Sequence, residues 1–146
     1  MIQRIQSIFL FLAGGASFGL LGAPFATTPE AVDASGIFSD SVFNLEDSLA
    51  LLIFFLIAGA LSVVAIFLFR NRKTQMMVTR FAFVINLIGL ILGIVLFMQD
   101  SGQWEGTNVN DGLGLYLPIA ACVLLILALR SIQKDEKLVR SSDRLR

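Results

Sequence analysis

The chain has 146 residues, of which 56% are hydrophobic, and its eleven basic and eleven acidic residues leave no net charge. A mean hydropathy of +0.82 lies far above that of a soluble globular domain and makes a membrane protein the first reading. With no His and a single cysteine, Cys122, inside an apolar run, the composition excludes an internal disulfide, a Cys/His metal cluster and histidine general-base chemistry.

Charged residues divide the chain into four apolar runs, which predict helices over about 5–21, 49–69, 76–98 and 113–130. Each approaches the roughly 20 residues that cross a hydrocarbon core about 30 Å thick. Backbone in lipid must satisfy its own hydrogen bonds, and these runs do not alternate as barrel strands would, so they are expected to be helices. The fold class is therefore all-α: a single polytopic domain of four transmembrane helices. It has outer loops at 22–48 and 99–112, a cytoplasmic turn at 70–75 and a cytoplasmic tail at 131–146. The first run is expected to stay in the mature chain, because Leu21-Gly22-Ala23 lacks the A-x-A-like spacing of a cleavage site and Pro24 follows it.

Charge is sorted along the sequence. Arg4 precedes the first run, Arg70, Arg72, Lys73 and Arg80 follow the second, and six more basic residues lie from Arg130 onward. Neither outer loop contains Lys or Arg, whereas Glu30, Asp33, Asp40, Glu46 and Asp47 lie in the first and Asp100, Glu105 and Asp111 in the third. The positive-inside rule then places both termini in the cytoplasm. Trp104 and Tyr116 fall near the outer boundary, where amphipathic rings anchor in the headgroup zone.

The runs hold no ionisable residue at mid-depth, which argues against a proton relay. Away from their ends the strongly polar content is Ser17, Ser62 and Asn86, and Asn86 is expected to make an interhelical hydrogen bond. Small residues recur four apart as Gly15 and Gly19, Ala58 and Ser62, and Gly89 and Gly93. Such faces pack helices closely, either within one bundle or against a separate membrane protein. Pro118 is expected to bend the start of the fourth helix. In the first outer loop, Ile37, Phe38, Val42 and Phe43 fit either a short surface helix or an irregular loop dipping into lipid. The carboxylates of that loop lack a calcium-loop spacing.

Beyond the fourth run, Lys134, Lys137, Arg140 and Arg144 fall on one helical arc, and Ile132, Leu138, Val139 and Leu145 on the opposite one. An amphipathic helix of this kind suits either the headgroup layer or a groove on a partner protein. Gln3, Arg4 and Gln6 lie on the same side of the membrane and extend the expected docking surface, together with Arg70, Arg72 and Lys73.

The opening MIQRIQSIFLFLA, the FRNRKTQ turn and the ending LPIAACVLLILALRSIQKDEKLVRSSDRLR resemble a family of small four-helix membrane proteins of Bacteroidetes-type bacteria, a domain of unknown function. That resemblance implies four spans in the bacterial inner membrane and implies no activity. No cofactor or metal is expected, no catalytic constellation is present, and the tail is too mildly charged for nucleic acid. The expected partners are the lipid bilayer and an integral-membrane or cytoplasmic protein, with a homo-oligomer as a further option. The leading functional expectation is a non-catalytic accessory subunit, scaffold or assembly factor. A small oligomeric transporter or channel is the alternative.

Overall fold

A computed structural model describes residues 3–32, 36–103 and 106–143. Four helices dominate it: α1 (Gln3–Gly19), α2 (Leu49–Phe67), α3 (Arg72–Gln99) and α4 (Leu113–Asp143). Each helix packs on two others, so that the bundle closes as a ring in which α1 lies between α2 and α4. Neighbours run antiparallel, as the approaches of Gly14 to Gly59, Gly89 to Phe55 and Gly19 to Leu117 show.

One regularity builds the interior. Buried positions recur by alternating steps of four and three on every helix: Gln6, Leu10, Ala13, Ser17 and Leu20 on α1, and Leu51, Phe55, Ala58, Ser62 and Ala65 on α2. On α3 the stripe is Gln75, Thr79, Ala82, Asn86 and Gly89, and on α4 it is Ala121, Leu125, Ala128, Ile132 and Asp135. A strict seven-residue period keeps one seam turned inward along antiparallel helices that cross at shallow angles. The seam is made largely of Ala, Ser, Thr and Gly, while Phe11, Leu49, Phe67, Met98 and Leu113 are each at least two-thirds exposed. This inversion of a soluble protein suits lipid, where small side chains bring helices together and large apolar ones face the acyl chains.

Three helices, over Leu49–Arg70, Arg72–Gln99 and Leu113–Val139, are long and apolar enough to cross a membrane. The first is shorter, with 17 residues, or about 26 Å at 1.5 Å per residue. The fourth is longer than the sequence suggests. No separate tail helix is present among the described residues, because α4 runs unbroken through Pro118 and past position 130 for 31 residues, about 46 Å. Helix α3 also begins earlier than expected. Asn71 caps it by accepting the Thr74 N–H at 3.3 Å, so the connection shrinks to a 3-10 turn at Leu68–Arg70 and one residue. Arg72 and Lys73 thereby enter the first helical turn, against the helix dipole.

The end opposite this turn is not purely α-helical. Strands β1 (Ala26–Thr27), β2 (Val42–Phe43) and β3 (Asn110–Asp111) form an antiparallel sheet in the order β2-β1-β3. Ala26 pairs with both Phe43 and Asp111, so the connection between α1 and α2 and that between α3 and α4 are joined through β1. Ile37, Phe38 and Phe43 adopt neither of the two expected arrangements. They are buried with Phe25, Leu45 and Phe55 in an apolar core over the helix ends. Phe25 and Phe43 lie 5.2 Å apart and Phe38 stands edge-on to Phe97 at 6.3 Å. Desolvating such a ring contributes about 1.5–3 kcal/mol, more than exposure at a wet loop could return.

Two glycines seat this cap on the bundle. Gly112 donates to Phe25 O at 2.9 Å and Gly114 to Pro24 O at 2.8 Å. A Cβ at either position would collide with the Pro24 backbone. Asp100, at the end of α3, accepts Gly36 N–H at 3.3 Å and Ile37 N–H at 3.4 Å. A single carboxylate thus ties the first outer loop to the third helix.

Candidate functional site

Within the bundle the expected packing residues divide. Ala58 and Ser62 are fully buried, and the Ser62 hydroxyl donates to Ala58 O at 2.8 Å. Gly89 lies under Phe55, where a Cβ would sit 3.0 Å from the ring, and a Cβ at Gly93 would sit 3.8 Å from Leu51. Gly19 is exposed but borders α4, where a Cβ would sit 3.4 Å from Leu117. Gly15 is different: it is exposed and meets nothing within 4 Å. The close approach on α1 is made by its neighbour Gly14, where a Cβ would sit 3.3 Å from Val63, and on α2 by Gly59 beneath the Phe18 ring.

Asn86 is fully buried, and its amide nitrogen donates to Pro118 O at 2.9 Å and to Cys122 Sγ at 3.1 Å. It ties α3 to α4 beside the proline, as an interhelical bond in a low-dielectric core should. Tyr116 is 56% exposed near the sheet end of α4 and fits an interfacial anchor. Trp104 lies outside the described residues.

The docking residues gather at the turn end of the bundle, with corrections. Phe69, Arg70, Arg72, Lys73 and Val139 line an open groove of about 770 Å³ between the α2–α3 turn and the far end of α4. Arg70 and Lys73 are exposed, and Arg72 is held in place by donating from Nη1 to Asp135 O at 2.7 Å. Lys134 and Lys137 are exposed on α4, and Leu138 and Val139 are 50% and 44% exposed. Lys137 joins Arg80 around a second groove of about 230 Å³. Ile132 leaves the expected apolar arc for the bundle core. Gln6 is 1% exposed and therefore belongs to the interior, not to a docking surface. The side chains of Gln3, Arg4 and Arg140 lie outside the described residues, as do Arg144 and Leu145 altogether.

The sequence reading missed a buried polar layer at this same end. Gln6, Gln75, Thr79 and Asp135 are at most 5% exposed. Thr79 Oγ1 donates to Gln75 O at 2.8 Å, and Gln75 Nε2 donates to Ala65 O at 3.0 Å. The signal was available in the spacing: Asp135 continues the seam from Ala121, Leu125, Ala128 and Ile132 by one further step of three. Treating the charged tail as a separate amphipathic helix on lipid or on a partner hid it.

Among the described residues no three His, Cys, Asp or Glu side chains converge as metal ligands. A ring of helices with small and polar side chains inside and large apolar ones outside, three of them long enough to span, defines a polytopic helical membrane protein. More specifically, the chain belongs to the family described as a domain of unknown function, DUF4293, whose model matches residues 2–145. No curated protein and no solved structure matches it.

Proposed function

We propose that the chain is a non-catalytic, four-span protein of a bacterial inner membrane with both termini in the cytoplasm, serving as an accessory subunit, scaffold or assembly factor of a larger membrane complex. The charge sorting supports this orientation, since every basic residue lies in the first turn of α1 (Arg4), at the α2–α3 turn and early α3, or from Arg130 onward at the same end of the bundle. Helix α1, although short, is gripped by α2 and α4 along its length.

One observation carries the docking role: the groove at the turn end places exposed Phe69 and Val139 beside Arg70 and Lys73. Apolar anchors beside three basic residues, which outnumber the one carboxylate of the lining, Glu136, suit an acidic partner segment that carries an aliphatic or aromatic residue. The test is a photo-crosslinking amino acid at Phe69 or at Val139 in native membranes. A single protein adduct of defined mass is expected, and Arg70→Glu with Lys73→Glu should abolish it. Adducts to lipid alone would overturn the docking role.

The transporter alternative would put Asn86 on a path between protomers. Its amide is instead turned inward onto Pro118 and Cys122, and Ala13, Ala82, Leu125 and Ala128 fill the adjoining core. Ion flux through reconstituted vesicles that fell on Asn86→Leu would revive that alternative.

A further inference from the structure

Five buried side-chain atoms in the described structure have no hydrogen-bond partner, and all five are acceptor oxygens. Four of them belong to the turn end: Gln6 Oε1, Gln75 Oε1 and both carboxylate oxygens of Asp135. Gln6, Gln75 and Asp135 are the last members of their respective seams, so α1, α3 and α4 each bring one to the same end of the bundle. The orientation of Gln75 is fixed, because only its amide nitrogen can bond the Ala65 carbonyl, which leaves the oxygen on the free side. Asp135 is 5% exposed. The guanidinium that reaches it, from Arg72, goes to its main-chain carbonyl and not to its carboxylate.

A buried carboxylate whose oxygens accept no hydrogen bond is costly even with a guanidinium nearby, and unpaired buried amide oxygens add to that. A guest that offers positive charge to every oxygen removes all of these costs together. We propose that Gln6, Gln75 and Asp135 form an oxygen-lined site for a single monovalent metal cation. Carboxylate and amide oxygens are ligands for hard cations. With a single carboxylate in the site and the Arg72 guanidinium already beside it, a divalent ion would be over-charged there, which favours sodium or potassium over calcium or magnesium. Such an ion would lock α1, α3 and α4 together just inside the docking groove.

The test is thermal unfolding of the purified full chain in detergent, in sodium, potassium or choline chloride at equal ionic strength. Saturable stabilisation by sodium or potassium over choline is expected, as for any ligand bound by the folded state alone. Asp135→Asn should abolish that dependence, and Gln75→Leu should raise the half-saturating concentration at least about tenfold. Equal stability in all three salts would overturn the site, as would a cation dependence that survives Asp135→Asn. The first result would assign the layer to water. Should Asp135→Asn fail to fold, sodium NMR line broadening by the wild-type protein, reversed by competing potassium, decides; no broadening and no competition would equally overturn the site.

Discussion

Asp100 and Asp47 show how single carboxylates organise the loops at the sheet end. Asp100 takes the backbone N–H groups of Gly36 and Ile37, and Ile37 is 8% exposed. Asp100→Ala should therefore leave a buried donor unpaired and cost about 1–3 kcal/mol in thermal unfolding, with Asp100→Asn costing less because one acceptor remains. An Asp100→Ala protein as stable as wild type would show that water replaces the clamp without loss. Asp47 accepts the Asn44 N–H at 2.6 Å. Burial nevertheless pushes its carboxyl above the ordinary value of 3.8, with Asp40 and Glu46 adding to the rise and the Asn44 bond opposing it. A raised folded-state pKa means that folding favours the protonated form. The contribution of Asp47 to stability is thus full below the ordinary value and is lost as pH rises through the folded one. Asp47→Asn keeps an acceptor and removes the charge, so it should be slightly more stable than wild type at neutral pH. The difference should vanish in acid; a larger gap in acid would reverse the sign and refute the argument.

At the scale of elements, glycine has two different uses. Gly112 and Gly114 sit where β1's approach to α4 leaves no room for a side chain, while Gly15 faces open space. Gly114→Ala should cost about 1–3 kcal/mol through displacement of the Pro24 backbone, and Gly15→Ala should stay within about 0.5 kcal/mol. Equal effects in parallel denaturation curves would mean that the cap shifts freely. The contrast also explains what could be read in advance. The four helices were legible because length and apolarity act locally, and Asn86 was legible because amides in lipid need partners. Gly112 and Gly114 were not, since their role depends on Pro24, almost ninety positions earlier. Phe38 and Phe43 were misplaced for the same reason: helical spacing within the loop carried no information about Phe97 or Phe55. Asp135 was hidden by a boundary drawn at the end of hydrophobicity, whereas the seven-residue seam continues beyond it.

For the whole molecule, the ring arrangement gives α1 its second neighbour only from α4, the last helix in the chain. The same holds for β1, whose pairing with β2 spans a short loop and whose pairing with β3 spans most of the protein. Closing the longer loop carries a greater entropic cost and is expected later. During synthesis, then, a nascent chain that has emerged only to the end of α3 holds its first helix from one side and its outer cap half-stitched. The ring shuts when Gly112 and Gly114 reach Pro24, so the carboxyl-terminal quarter acts as the latch of biogenesis for the amino-terminal loop. Chains stopped at the end of α3, after Gln99, should be cut in residues 22–48 by protease added on the sheet side, under conditions in which full-length protein resists. Equal resistance would place the closing event earlier in translation.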